Sequence, residues 1–168
     1  MESGCHRVMM RRHTLSGHGN NIRTCILQTF VPQQKVKTMN IFVVENSTVM
    51  AESLQSMLAS NPGIEVVGHS VEERDAIERI DALLPDAVIM DIGLQSGSGF
   101  VVLESIKKHH VEIKVMVLTH YTSKENTDRC KLAGADYFFD KSFQLAQARD
   151  VLWEWSHPTG KNPLRQPQ

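Results

Sequence analysis

The stretch Ala87-Val88-Ile89-Met90, followed by Asp91, decides the fold of this chain. A short run of apolar and β-branched residues is typical of a strand that is buried on both faces of a sheet. Parallel strands in one sheet end at the same edge, where open α/β folds bind their ligands. The pattern recurs three times: Ile41-Phe42-Val43-Val44 precedes Glu45 and Asn46, Val115-Met116-Val117-Leu118 precedes Thr119, and Tyr137-Phe138-Phe139-Asp140 precedes Lys141.

The polar residues at these strand ends form a set with a defined chemistry. Two carboxylates, an amide, a hydroxyl and an ammonium group would meet at one point. Carboxylates bind divalent cations, a carboxylate oxygen can attack phosphorus, and an ammonium group neutralises phosphoryl oxygens. The sequence therefore predicts a site that handles a phosphoryl group together with a metal ion.

Strands and helices are predicted to alternate five times from Met39 onward. With right-handed crossovers, five such units give a flavodoxin-like, doubly wound α/β fold: a five-stranded parallel sheet of order 2-1-3-4-5. That order places Glu45 and Asp91 at the point where the strand order reverses. The predicted strands are Ile41–Glu45, Glu65–Gly68, Ala87–Asp91, Lys114–Thr119 and Asp136–Phe139, and the predicted helices are about Thr48–Ser60, Glu72–Leu84, Gly99–His109, Lys124–Ala133 and Gln144–Trp155.

From Met39 to about Trp155 the chain resembles the receiver domains of bacterial two-component response regulators, in particular stand-alone receivers like the chemotaxis regulator. The acidic residue after the first strand, the Asp, Thr and Lys at later strand ends, and the stretch Ala133-Gly134-Ala135-Asp136 occur in family order and spacing. The resemblance implies that Asp91 is the phosphoacceptor. It also implies that Thr119 and Lys141 contact the phosphoryl group.

The resemblance implies a magnesium ion as well, bound by Glu45, Asp91 and the backbone carbonyl of Gly93. Family members usually carry a second acidic residue after the first strand, but this chain has Asn46 there. One negative charge is lost, so we expect weak magnesium binding in which Asn46 contributes through a water molecule.

Two further groups of residues follow from the same resemblance. Thr119 and Phe138 are the expected conformational switch, in which the hydroxyl moves toward the phosphoryl group and the aromatic ring swings inward. Gly93, His120 and Tyr121 flank the path of the water that hydrolyses the phosphoryl group. We expect Tyr121 to obstruct that path, whereas His120 could instead act as a general base.

The leading hypothesis is a receiver that takes a phosphoryl group from a sensor histidine kinase or a phosphotransfer protein onto Asp91. It would catalyse only its own phosphorylation and dephosphorylation, and would signal to a protein target through helix four, strand five and helix five, with no attached DNA-binding domain. The alternative is a pseudo-receiver that binds partners without phosphorylation, as Asn46 suggests. A flavin-binding protein is disfavoured, because Ser47-Thr48 lacks the glycine that a phosphate loop needs.

Charge and composition divide the chain of 168 residues into a body and two ends. Residues 1–38 hold six basic residues against Glu2 alone, which leaves −6 on the remainder out of a total of −1. We expect residues 1–38 to be a disordered basic extension, or a mis-called start upstream of Met39, then a receiver domain over residues 39–156 and a disordered tail over residues 157–168. The acidic body argues against nucleic-acid binding, the apolar runs are too short for a membrane helix, and an odd cysteine count fits the cytoplasm.

Overall fold

Strands and helices alternate five times in the structure, a computed structural model that describes residues 38–158. All strand pairs are parallel and the strand order is β2-β1-β3-β4-β5, so the predicted flavodoxin-like fold is confirmed. The elements are β1 (Met39–Val44), α1 (Thr48–Ala59), β2 (Ile64–Ser70), α2 (Glu73–Leu83), β3 (Ala87–Met90), α3 (Gly99–His109), β4 (Lys114–Thr119), α4 (Lys124–Leu132), β5 (Tyr137–Asp140) and α5 (Leu145–Ser156).

Most predicted boundaries agree with these within one residue. The exceptions are β1, which begins two residues before its predicted start, and β2, which is longer than predicted at both ends. The prediction of Glu65–Gly68 was too short, because β2 follows β1 along its whole length and pairs Ser70 with Val44. The register between the two strands shifts between Ile41 and Phe42. The sequence of an edge strand does not by itself reveal how far its neighbour extends. Residues 1–37 of the predicted extension (residues 1–38) and residues 159–168 of the predicted tail (residues 157–168) lie outside the described residues.

The sheet separates two apolar layers, and alternate residues of each strand belong to different layers. Phe42, Val44, Val88 and Met90 pack on the side of α2, α3 and α4. Their neighbours along the strands pack on the side of α1 and α5: Ile41, Val43, Ala87 and Ile89. Burial on both faces explains why the strand sequences are continuous apolar runs rather than alternating ones.

Helix α4 is the least anchored of the five helices. Its only buried residue is Cys130, whereas each of the other helices buries between two and four residues. Ser123 caps its first turn by accepting a hydrogen bond from the Asn126 amide, and a glycine at φ +93°, Gly134, follows its end. Contacts at its two ends, rather than burial of an apolar face, therefore set where α4 begins and ends.

The strand register brings four strand ends to one edge of the sheet, where β4 and β5 extend two residues beyond the level at which β1 and β3 end. Val44 is the partner of Met90, Met90 is the partner of Val117, and Thr119 is the partner of Asp140. The residues that follow these positions must therefore lie side by side at the carboxyl edge of the sheet. None of the helices within residues 38–158 is long and apolar enough to cross a membrane.

Candidate functional site

Four predicted site residues meet at the carboxyl edge of the sheet: Glu45 after β1, Asp91 after β3, Thr119 at the end of β4 and Lys141 after β5. Their exposed fractions are 1%, 5%, 0% and 4%. The strands place the backbone of each residue, and the side chains turn toward one another. Three ionisable groups are thus held out of bulk water, which is tolerable only when the charges are paired.

The Asp91 carboxylate accepts hydrogen bonds at both of its oxygens. Lys141 Nζ donates to Oδ2 at 2.5 Å, and Thr119 Oγ1 donates to Oδ1 at 2.7 Å. The backbone amide of Gly93 also donates to Oδ1, at 3.0 Å. Three donors from three different segments fix the orientation of this carboxylate.

Lys141 is shared between two carboxylates. Its Nζ lies 2.6 Å from Glu45 Oε2 as well as 2.5 Å from Asp91 Oδ2. The other Glu45 oxygen, Oε1, accepts a hydrogen bond from the Ser47 amide at 3.0 Å. The three charged side chains carry a net charge of −1, so the cluster still attracts a further cation.

This donor set fits a magnesium ion that is held only in part by protein. Magnesium takes oxygen ligands, keeps several waters and is usually bound through one or two carboxylates plus phosphate oxygens. Glu45 and Asp91 supply two carboxylates, and residues 38–158 contain no cluster of three or more acidic, His or Cys side chains that could hold a metal alone. Asn46 is exposed beside them, at the end of β1.

Tyr121 lies over the loop that follows Asp91. A Cβ atom at Gly93 would be only 2.5 Å from Tyr121 Cε2, so the tyrosine ring packs directly on the Gly93 backbone. The Tyr121 amide donates to Thr119 Oγ1 at 3.2 Å, which ties this loop to the site hydroxyl. His120 turns elsewhere, because its Nδ1 lies 3.2 Å from Ser142 Oγ in the loop after β5.

Phe138, the expected switch aromatic, lies on β5 opposite Val117. Its ring is half-buried and packs against the apolar layer under α2, α3 and α4. It is therefore on the same side of the sheet as α4.

The residues that hold the β3–α3 loop were not identified from the sequence. Glu73, at the start of α2, accepts a hydrogen bond from the Ser98 amide through Oε2 at 2.7 Å, and its own amide donates to Ser96 O at 3.1 Å. The Gln95 amide donates to Val71 O at 3.2 Å. This bond needs the backbone N–H of Gln95, which a proline at this position would lack. Helix α2 thus braces the loop that carries Gly93.

Two glycines make this arrangement possible. Gly97 has φ +81°, and a Cβ there would lie 2.4 Å from Glu73 Cβ. A Cβ at Gly99 would lie 2.2 Å from the Asp91 carbonyl oxygen, so α3 begins in direct contact with the Asp91 backbone. No sequence signal indicated the carboxylate that completes this brace.

We expect Glu73→Ala to lower the free energy of unfolding by about 1.5–3 kcal/mol, because the Ser98 amide loses its charged acceptor. Glu78→Ala is the matched control on the same helix. Its exposed ion pair with Arg74 should contribute no more than about 1 kcal/mol. Chemical denaturation of both variants measures the difference, and equal stabilities would show that the Glu73 contact does not brace the loop.

The chain matches the family model described as the response regulator receiver domain over residues 41–152. A protein-glutamate methylesterase/protein-glutamine glutaminase of Clostridium acetobutylicum is 28% identical over 138 residues, which cover 76% of this chain and 40% of that protein. The DNA-binding transcriptional activator DevR/DosR of Mycobacterium tuberculosis is 29% identical over 117 residues, which cover 67% of this chain and 54% of that protein. The chain therefore spans about half the length or less of these curated relatives.

Solved structures agree with the sequence match. The response regulator domain of Thermotoga maritima CheB is similar with a TM-score of 0.63 and 26% identity, over 72% of this chain and 95% of that domain. The fold, the matched residues and the order of the site residues lead to one conclusion. The chain belongs to the receiver domain family of two-component response regulators.

Proposed function

We propose that this protein is a phosphoacceptor receiver, in which Asp91 takes a phosphoryl group from the phosphohistidine of a sensor kinase or a phosphotransfer protein. The observation that carries the proposal is the pairing of Asp91 with both Thr119 and Lys141 at the carboxyl edge of the sheet. We propose that the protein acts in the cytoplasm, where such a phosphodonor would act. No further reaction is assigned to this domain.

In the proposed transfer, an Asp91 oxygen attacks phosphorus in line as the bond from phosphorus to the histidine nitrogen breaks. The electron pair of that bond returns to the imidazole, and an acyl phosphate remains on Asp91. Lys141 already lies at Asp91, so its ammonium group can pair with an incoming phosphoryl oxygen without a large movement. The Thr119 hydroxyl can donate to a second phosphoryl oxygen once it leaves the carboxylate.

We expect the full chain to gain one phosphoryl group from acetyl phosphate with magnesium, and Asp91→Asn to gain none, because the amide nitrogen and oxygen are poor nucleophiles. Intact mass spectrometry measures the gain. Asp128→Asn, which changes a carboxylate on α4 that pairs with Lys124, is the matched control and should behave as the wild type.

A pseudo-receiver that never becomes phosphorylated remains the second candidate. Asn46 in place of an acid, and the engagement of both carboxylates by Lys141, favour it. A wild type that gains no mass while correctly folded supports this candidate. Equal gain in wild type and Asp91→Asn rules out Asp91 as the acceptor.

Magnesium, when bound, would neutralise charge on the phosphoryl oxygens during transfer. We assign its protein ligands to Glu45, Asp91 and the Gly93 carbonyl, with Asn46 acting through a water molecule. Binding should be weak for two reasons. One carboxylate is missing at position 46, and the Lys141 ammonium already neutralises part of the charge on the other two.

We therefore expect Asn46→Asp to tighten magnesium binding by about fivefold, which corresponds to about 1 kcal/mol for an added charge near the cation. Isothermal titration calorimetry with magnesium compares the two proteins. Gln55→Glu adds the same charge on the exposed face of α1, away from the site, and should leave the dissociation constant unchanged. A constant that does not fall in Asn46→Asp would place residue 46 outside the metal site.

We also propose that the phosphoryl group is long-lived. Hydrolysis needs a water molecule in line with the bond between phosphorus and Asp91, and the Tyr121 ring packs on Gly93 beside that approach. Gly93 has no side chain to hold the water. His120 is directed toward Ser142, which weakens its case as a general base.

Tyr121→Ala should accelerate loss of the phosphoryl group by about fivefold, equivalent to about 1 kcal/mol of barrier, because the ring no longer shields the phosphorus. His120→Ala is the comparison variant and should decay at the wild-type rate. The decay of phosphorylated protein after removal of the donor gives both rates. Slower decay in His120→Ala with no change in Tyr121→Ala would reverse the assignment.

The output is proposed to pass through Thr119 and Phe138 to the surface formed by α4, β5 and α5. Phe138 lacks a hydroxyl group, so packing alone would select between its two positions. The surface carries Leu132, which is 90% exposed, and Tyr137. An apolar surface of this kind suits a protein target. We do not assign nucleic-acid binding to residues 39–156, because this segment is acidic.

A further inference from the structure

The hydrogen-bond ladder between β1 and β2 stops at the carboxyl edge of the sheet. In its last bond the Glu45 amide donates to the Ser70 carbonyl at 2.9 Å. In a regular parallel ladder, the Glu45 carbonyl would next accept from the amide two residues beyond Ser70, which is the amide of Glu72. That amide instead donates to Ser70 Oγ at 3.3 Å, as the chain turns from β2 toward α2. The Glu45 carbonyl is thus left without its regular partner from β2.

A histidine side chain takes the place of the missing donor. Glu45 is only 1% exposed, so its carbonyl needs a partner within the protein. His69 Nε2 lies 2.8 Å from this carbonyl oxygen, and because a carbonyl only accepts, Nε2 must carry the hydrogen. His69 pairs with Val43, which belongs to the apolar layer under α1 and α5, so the imidazole leaves the sheet on that side. From there it reaches around the end of β1.

The backbone of His69 is held from the other side of the sheet, by α2. Arg79 Nη1 donates to the His69 carbonyl at 2.5 Å, and the guanidinium group lies over the Phe42 ring, 5.2 Å from its centre. A Cβ at Gly68 would lie 2.5 Å from the Phe42 ring and 3.0 Å from Arg79 Nη2, so this glycine leaves room for the arginine. The position of His69 in β2 therefore does not depend on what its side chain binds.

We infer that His69 is a positioning residue of the metal site, because its hydrogen bond fixes the peptide plane between Glu45 and Asn46. The inference rests on the proposed magnesium site, to which these two residues contribute. The Glu45 carboxylate precedes this peptide and contacts Lys141 at 2.6 Å, and Asn46 follows it. Rotation of the peptide would redirect both side chains. With the carbonyl held, both keep their direction, and less ordering entropy is lost when a cation binds.

Two amide substitutions at His69 separate this hydrogen bond from the rest of the side chain. His69→Gln places an amide nitrogen where Nε2 lies, whereas the side chain in His69→Asn is one methylene shorter and does not reach the Glu45 carbonyl. Both variants should fold, because Arg79 holds the backbone at this position. His109→Asn makes the same substitution at an exposed histidine on α3 and is the control.

The first measurement needs no metal and uses the full chain labelled with ¹³C and ¹⁵N. The carbonyl ¹³C resonance of Glu45 should move upfield in His69→Asn, as expected of a carbonyl that loses a hydrogen bond, and should stay near its wild-type position in His69→Gln. The second measurement is the calorimetric titration with magnesium. His69→Asn should bind magnesium about threefold more weakly, whereas His69→Gln and His109→Asn should bind it as the wild type does.

The inference is overturned if the Glu45 carbonyl resonance in His69→Asn matches that of the wild type. It is also overturned if His69→Asn and the wild type bind magnesium with the same dissociation constant, or if His69→Gln loses as much affinity as His69→Asn. A wild type that binds no magnesium contradicts the proposed metal site instead. The carbonyl resonance then still decides whether His69 holds the peptide between Glu45 and Asn46.

Discussion

The site depends on one ammonium group. Lys141 Nζ is buried and lies between Glu45 and Asp91. Its positive charge offsets the repulsion between these two carboxylates, which water cannot screen at a buried site. Glu45 follows β1, Asp91 follows β3 and Lys141 follows β5, which means that the ion pairs connect three strands across the end of β4. Removing Lys141 would leave two buried carboxylates without a counter-charge, which is among the costly changes a protein interior can undergo.

The loops around this ammonium group are held mainly by contacts with the backbone. Helix α2 holds the β3–α3 loop through Glu73, and α3 begins against the Asp91 carbonyl because Gly99 has no side chain. The Tyr121 amide is tied to the Thr119 hydroxyl. Main-chain contacts of this kind hold Asp91 in place even though Asn46 departs from the usual receiver sequence.

The fold and the four central site residues were predictable because both follow from local pattern. Continuous apolar runs identify buried parallel strands, and parallel strands bring their last residues to one edge whatever the loops do. Local sequence pattern did not predict three other features: the full length of β2, the contact of Glu73 with the β3–α3 loop, and the packing of the Tyr121 ring on Gly93. Each of these features depends on a contact between segments that are far apart in the sequence. The positions of Glu73 and Gly97 in the chain, for example, do not indicate that the two residues are in contact. The roles of Gly93, Phe138 and the metal ligands remain predictions that chemistry must test.

The single buried residue of α4 has a consequence for how that helix moves. Burial raises the pKa of the Cys130 thiol to about 11, so at neutral pH almost none of it is the reactive thiolate. A helix attached to the core through one small side chain can open at a lower free-energy cost than its neighbours, since little apolar surface is exposed when it detaches. Opening would bring the thiol into water, where its pKa returns toward the ordinary value and its reactivity rises. The rate at which Cys130 is alkylated should therefore report how often α4 unfolds locally.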